Sequence, residues 1–170
     1  LDVSKPTRPA LTSQEKKTIL LLLALVPVMA VGAIPNSEIF DGYLLWGREH
    51  FQLRLLGHEM PVSDLISLDG FISTLCAVAV LWFWKAYSRR RQDLSEIAKV
   101  ALGTFIAAFG PLMLALGSWV SPGPHEVSLL WGLAFHIIND IGFAMNYAIG
   151  MALFSRAAPV SVNTILVACF

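Results

Sequence analysis

Two carboxylic acids stand where acids are rare. Asp69 is the only charged residue in the run 65–84, and Asp140 is the only formally charged residue in 127–155. A charged side chain at the centre of a bilayer costs on the order of 3 kcal/mol, so acids in such runs are expected to face the protein interior or a water-filled cavity. A desolvated carboxyl can bind and release protons near neutral pH, which is the chemistry that proton coupling needs. The competing reading is an interhelical hydrogen bond with a packing role only.

Around Asp140 the spacing is helical. His136, Asp140, Phe143, Tyr147 and Gly150 fall at i, i+4, i+7, i+11 and i+14, with Asn139 and Asn146 alongside, so one face is polar and aromatic and is expected to line a cavity. His136, one turn from Asp140, forms with it either a protonatable pair or a hydrogen-bonded filler. Asn36, Glu38 and Asp41 follow Pro35. They line a pathway if the helix continues past Pro35 within the membrane, and are solvated loop acids if it ends there. Arg48, Glu49, His50, Arg54, His58 and Glu59 have no regular ligand spacing and read as a solvated outer connection. No hydrolase Ser/His/Asp arrangement, phosphate-binding glycine loop or zinc motif is present, so neither an enzyme nor a resident cofactor or metal is expected. Cys76 and Cys169 lie in apolar runs without CxxC spacing and read as packing residues.

The elements that must position these groups are membrane helices. Hydrophobic residues make up 56% of the 170, charged residues only 14%, and the mean hydropathy is +0.66, which together favour a bilayer over water as the solvent. A hydrocarbon core about 30 Å thick takes roughly 20 apolar residues of helix. Four segments qualify, at about 18–47, 65–87, 96–120 and 127–155, joined by short polar connections. Residues 1–17 read as a cytoplasmic lead-in, and 160–170 as the start of a fifth, truncated span. Thr12 with Glu15 reads as a capping box, and Asp93 with Glu96 as another helix start. Gly103, Gly110 and Gly117 repeat every seven residues as a close-packing stripe on the third span. The absence of an initiator Met, and an apolar run still open at Phe170, suggest a fragment of a longer chain.

Lys and Arg together number 12, equal to Asp plus Glu, so nothing points to nucleic acid. Their distribution is uneven: Arg48 and Arg54 fall on one side of the bilayer and the other ten on the opposite side. The excess of positive charge on cytoplasmic connections then places the N-terminus, residues 89–91 and Arg156 in the cytoplasm, and a multi-pass protein in the inner or plasma membrane.

The chain resembles the proton-dependent oligopeptide transporters of the major facilitator superfamily, from the seventh helix to the start of the eleventh. The resemblance is carried by Leu11 and Thr12 with Glu15; by 35–46 followed by 51–57; by Met60-Pro61-Val62-Ser63 leading into Ser67-Leu68-Asp69; and by Ile141-Gly142, Ile149-Gly150 and Ala158-Pro159. It implies an all-α integral membrane protein that forms part of the C-terminal six-helix bundle of such a transporter. It also implies alternating access, driven by protons, around a small peptide or related amino compound bound between two halves. The N-terminal half is then a missing partner, the proton is the coupling ion, and the four or five helices here do not transport alone. On that resemblance the pathway is lined by Asn36, Glu38, Asp41, Asp69, His136, Asn139, Asp140, Phe143 and Asn146. It further implies that Asp69 stands where the family usually has a pocket Asn, Gly70 where it has a Pro, and Phe143 where it carries the tenth-helix Glu that receives the peptide amino terminus. Two alternatives stay open: a major facilitator transporter for a non-peptide solute, and a truncated membrane protein that acts only through partners.

Overall fold

The computed structural model describes residues 11–55 and 57–168, apart from the side chain of residue 55. Lys5, Arg8 and most of the expected lead-in, together with Cys169 and the last two residues of the expected fifth span, lie outside the described residues.

The first helix, α1 (Ser13–Ser37), starts on a completed capping box. The Thr12 hydroxyl accepts from the Glu15 amide at 3.2 Å, while the Glu15 carboxylate accepts from the Thr12 amide at 2.7 Å. These bonds satisfy two of the amides that a helix start leaves without partners. The helix carries Pro27 and Pro35 within it and gives way at Glu38 to a three-residue 3-10 turn, Glu38–Phe40. The chain then enters the short α2 (Gly42–His50). A two-residue hairpin follows, β1 (Arg54–Leu55) against β2 (His58–Glu59), turning through Gly57 at φ 85°, a left-handed conformation that only glycine adopts without strain.

Helix α3 (Asp64–Ser88) returns across the molecule. Next come α4 (Glu96–Ala107) and α5 (Phe109–Val120), two pieces of one apolar stretch, Glu96–Val120. The interruption has a local cause. Pro111 lacks an amide hydrogen and its ring crowds the carbonyl four residues back, at Ala107, where α4 ends. The start of α4 differs from the sequence expectation. Ser95 is the capping residue, its hydroxyl accepting from the Ala98 amide, while Asp93 is drawn instead to Lys99 Nζ at 2.8 Å. The long α6 (Leu129–Ala157) and the short α7 (Asn163–Ala168) complete the described chain.

Four helical stretches, Ser13–Phe40, Asp64–Ser88, Glu96–Val120 and Leu129–Ala157, are long and apolar enough to cross a membrane. The fold is all-α apart from the hairpin. Helix α6 is the hub, packed against α1, α3, α4 and α5. The glycine stripe makes this closeness possible. A Cβ on Gly103 would stand 2.6 Å from the Met145 Cβ, one on Gly110 3.2 Å from the Asn139 Cβ, and one on Gly117 2.9 Å from Trp131. Small residues let helix backbones approach where lipid supplies no hydrophobic drive between them.

Two apolar clusters mark the ends of the bundle. One joins α1, α4, α6 and α7 through Leu22, Met29, Val100, Phe154 and Leu166. The other gathers Ile39, Tyr43, Phe51, Leu65, Val127 and Phe135 under the hairpin end. Backbone bonds from Gln52 to Val127 and from Val127 to His50 pin the connection after α2 to the turn before α6. Large side chains such as Leu20, Trp82, Trp119 and Leu130 stay exposed on the outside, as lipid-facing positions do. Between the two apolar ends α6 carries its buried polar residues.

Candidate functional site

The polar site is built by three elements converging on the first half of α6. His136 is fully buried, and both of its ring nitrogens are engaged. Nδ1 lies 2.9 Å from Asp69 Oδ1 on α3, and Nε2 lies 2.9 Å from the Tyr43 hydroxyl on α2. An ionised Asp69 can only accept, so it takes the Nδ1 hydrogen, and Nε2 of the neutral ring then accepts from Tyr43 O–H. Tyr43 is fixed by its own neighbours: its ring stacks on Phe135 at 5.0 Å and meets Phe51 edge-on at 5.9 Å. These aromatic rings close the hairpin side of the site.

One helical turn further along α6, Asp140 is 1% exposed. Its Oδ1 accepts from the Asn139 side-chain amide at 3.2 Å, and its Oδ2 has no partner among the described residues. The Asn139 amide also reaches Asn36 Oδ1 on α1 at 3.4 Å, and Asn139 Oδ1 is likewise without a partner among them. Asp69, His136 and Asp140 each offer a ligand atom, and these atoms all lie within 4.8 Å of one another. Two acids and an imidazole from two spans therefore share one buried volume. His136 donates to Asp69 and accepts from Tyr43, so its direct partner is the acid across the helix interface and not Asp140 on its own helix.

The remaining sequence-selected residues lie around this centre. Asn146, two turns below Asn139, donates to Thr104 on α4 at 3.2 Å. Asn36, Phe143, Asn146 and Tyr147 line a groove between α1 and α6. Phe143 and Tyr147 stack at 5.4 Å and also border a second groove, between α3, α4 and α6, that contains Trp84, Lys99 and Arg156. Phe143 thus borders both grooves. Glu38 and Asp41 are exposed at the turn between α1 and α2, and Glu38 borders a third groove with Tyr43 and Trp46. The structure does not bring these two acids into the buried cluster. Sequence reasoning missed Tyr43 altogether. It also missed Lys99, which is 8% exposed, bonded to Asp93 and seated 4.8 Å over the Trp84 ring at the far end of the second groove.

Two curated proteins match the chain. The dipeptide and tripeptide permease B of Aliivibrio fischeri (strain MJ11) is 25% identical over 142 residues, covering 83% of this chain and 28% of its own. The peptide transporter YePEPT of Yersinia enterocolitica subsp. palearctica (serotype O:3, strain YE-P4) is 26% identical over 117 residues, 68% of this chain and 23% of its own. The chain therefore spans about a quarter of the length of these relatives. No family model and no solved structure matches it.

Proposed function

We propose, on the similarity of this chain to a dipeptide and tripeptide permease and a peptide transporter of which it spans about a quarter, that it forms part of the second half of a proton-coupled symporter. The cargo is a di- or tripeptide or a related small amino compound. The observation that carries the coupling half of this reading is the buried group of Asp69, His136 and Asp140, positioned by two membrane-capable helices. Charge-bearing side chains are costly inside a bilayer and are retained there chiefly for ion, proton or substrate handling. Asp140 and Asp69 are the acids that take the proton or the peptide amine, with His136 and Tyr43 holding Asp69 in register. Asn36, Asn139 and Asn146 supply neutral hydrogen bonds along α1 and α6. Glu38 and Asp41, exposed on the described chain, are assigned to the mouth of the pathway, facing the other half of the transporter. The N-terminus, residues 89–91 and Arg156 are cytoplasmic in this reading, which places the hairpin outside.

Phe143 supports a second reading. Its stacked aromatic face, next to Tyr147, offers no charge to a peptide amine, which suits a transporter for a non-peptide solute. Competition separates the two. The intact protein in proteoliposomes, under an inward proton gradient, is expected to accumulate labelled dialanine, and unlabelled di- and tripeptides are expected to block that uptake. Uptake blocked by sugars or organic acids and untouched by dipeptides would transfer the assignment to the second reading.

A further inference from the structure

We propose that Asp69, His136 and Asp140 form a binding site for one divalent transition-metal ion of the Zn2+ and Co2+ class. Among the described residues this is the only place where three His, Cys, Asp or Glu ligand atoms converge, and all three residues are buried. It is therefore not the common case of solvated surface acids. The described Lys and Arg ion pairs go to Glu59, Asp93 and Glu96, so no such cation neutralises Asp69 or Asp140. With both carboxyls ionised beside a neutral imidazole, the cluster carries a charge that a dication cancels.

The independent observation is Asp140 Oδ2. It is fully buried, has no partner among the described residues, and belongs to a carboxylate that meets the other two ligands. A buried carboxylate oxygen without a donor is costly, and a metal ion satisfies it. The surrounding partners are those that metal ligands require. The Tyr43 hydroxyl holds the outer ring nitrogen of His136, and the Asn139 amide holds the other oxygen of Asp140. Such contacts fix the tautomer and the carboxylate orientation.

The spacing also fits. Asp69 Oδ1 and His136 Nδ1 are 2.9 Å apart. Two donors at that separation, each roughly 2.1 Å from an ion, subtend about 90° at it, an acceptable angle between neighbouring ligands. The ion then lies to one side of the line between them, and the hydrogen that bridged them leaves Nδ1. The ring hydrogen moves to Nε2, which donates to Tyr43 Oη, so the neutral imidazole keeps one hydrogen throughout. Asp140 offers the third ligand atom, within 4.8 Å of the other two. An imidazole in the set favours a transition metal over Mg2+ or Ca2+, which prefer oxygen alone.

The ligands include the acids assigned above to the proton or the peptide amine, so a bound ion competes with both for Asp69 and Asp140. The test is metal binding to the full chain, purified in detergent and stripped with a chelator. Added Co2+ is expected to bind at about one per chain with visible ligand-field absorption, and Zn2+ is expected to displace it. Asp140→Asn and His136→Gln are each expected to weaken binding at least tenfold, and Tyr43→Phe to weaken it by about tenfold. Glu59→Gln, in the exposed hairpin, should leave it unchanged. Should a variant fold poorly, Zn2+ raising the melting temperature of the native chain but not of Asp140→Asn also supports the site. A native chain that binds neither ion, or binding that survives both ligand substitutions, overturns the proposal and leaves the transport reading as it stands.

Discussion

His136 is held from both sides, and that sets what its removal should cost. Truncation to Ala strips Asp69 of its hydrogen-bond donor and leaves the Tyr43 hydroxyl facing a cavity. Leaving a buried carboxylate without its hydrogen-bond donor costs about 3 kcal/mol. His136→Ala should lower stability by that amount in detergent unfolding experiments, whereas Tyr43→Phe, which removes one neutral hydrogen bond, should cost about 1 kcal/mol. Equal effects would mean that the ring acts only as filler. Asp69 and Asp140 were legible in the sequence because a lone charge in an apolar run is conspicuous on energetic grounds alone. The pairing of His136 with Asp69 was not, because 67 residues separate them and helical spacing reveals only neighbours on the same helix. Tyr43 was hidden for a related reason. A tyrosine near the end of a span reads as an interface residue, and only the turn at Glu38–Phe40 carries α2 over the polar face of α6.

At the scale of elements, the contact between α4 and α6 depends on two glycines. A Cβ on Gly142 would lie 2.5 Å from both the Ala107 amide nitrogen and the Gly103 carbonyl oxygen, which are backbone atoms that can move only with their helix. Gly142→Ala should therefore destabilise the fold by about 1–3 kcal/mol through overpacking. A Cβ on Gly70 meets nothing within 4 Å, so Gly70→Ala should leave the melting temperature within a degree or two. A loss at Gly70 as large as at Gly142 would contradict the packing described. The seven-residue glycine repeat made this interface visible in the sequence, and length with hydropathy made the spanning helices visible. The interruption at Ala108 was less so, because Pro111 acts on a carbonyl four residues away and its effect depends on which residue begins the new helix.

At the scale of the whole molecule, a buried acid lies within helices long and apolar enough to cross a membrane. Cysteines introduced singly at Arg90 and at His58 should label oppositely in sealed cells, His58 from outside and Arg90 only after permeabilisation. Reversed labelling would invert the assigned orientation. That orientation is an expectation drawn from the distribution of Lys and Arg, ten of the 12 falling on one side if the four spans cross. The central claim is that Asp140 serves coupling rather than packing. Its most direct test is uptake of labelled dialanine by the intact protein in proteoliposomes, with and without an inward proton gradient, for the native protein and for Asp140→Asn. The account predicts that the substitution abolishes gradient-driven accumulation while the protein still folds and inserts. Accumulation equal to that of the native protein would remove Asp140 from the mechanism and leave it a structural residue.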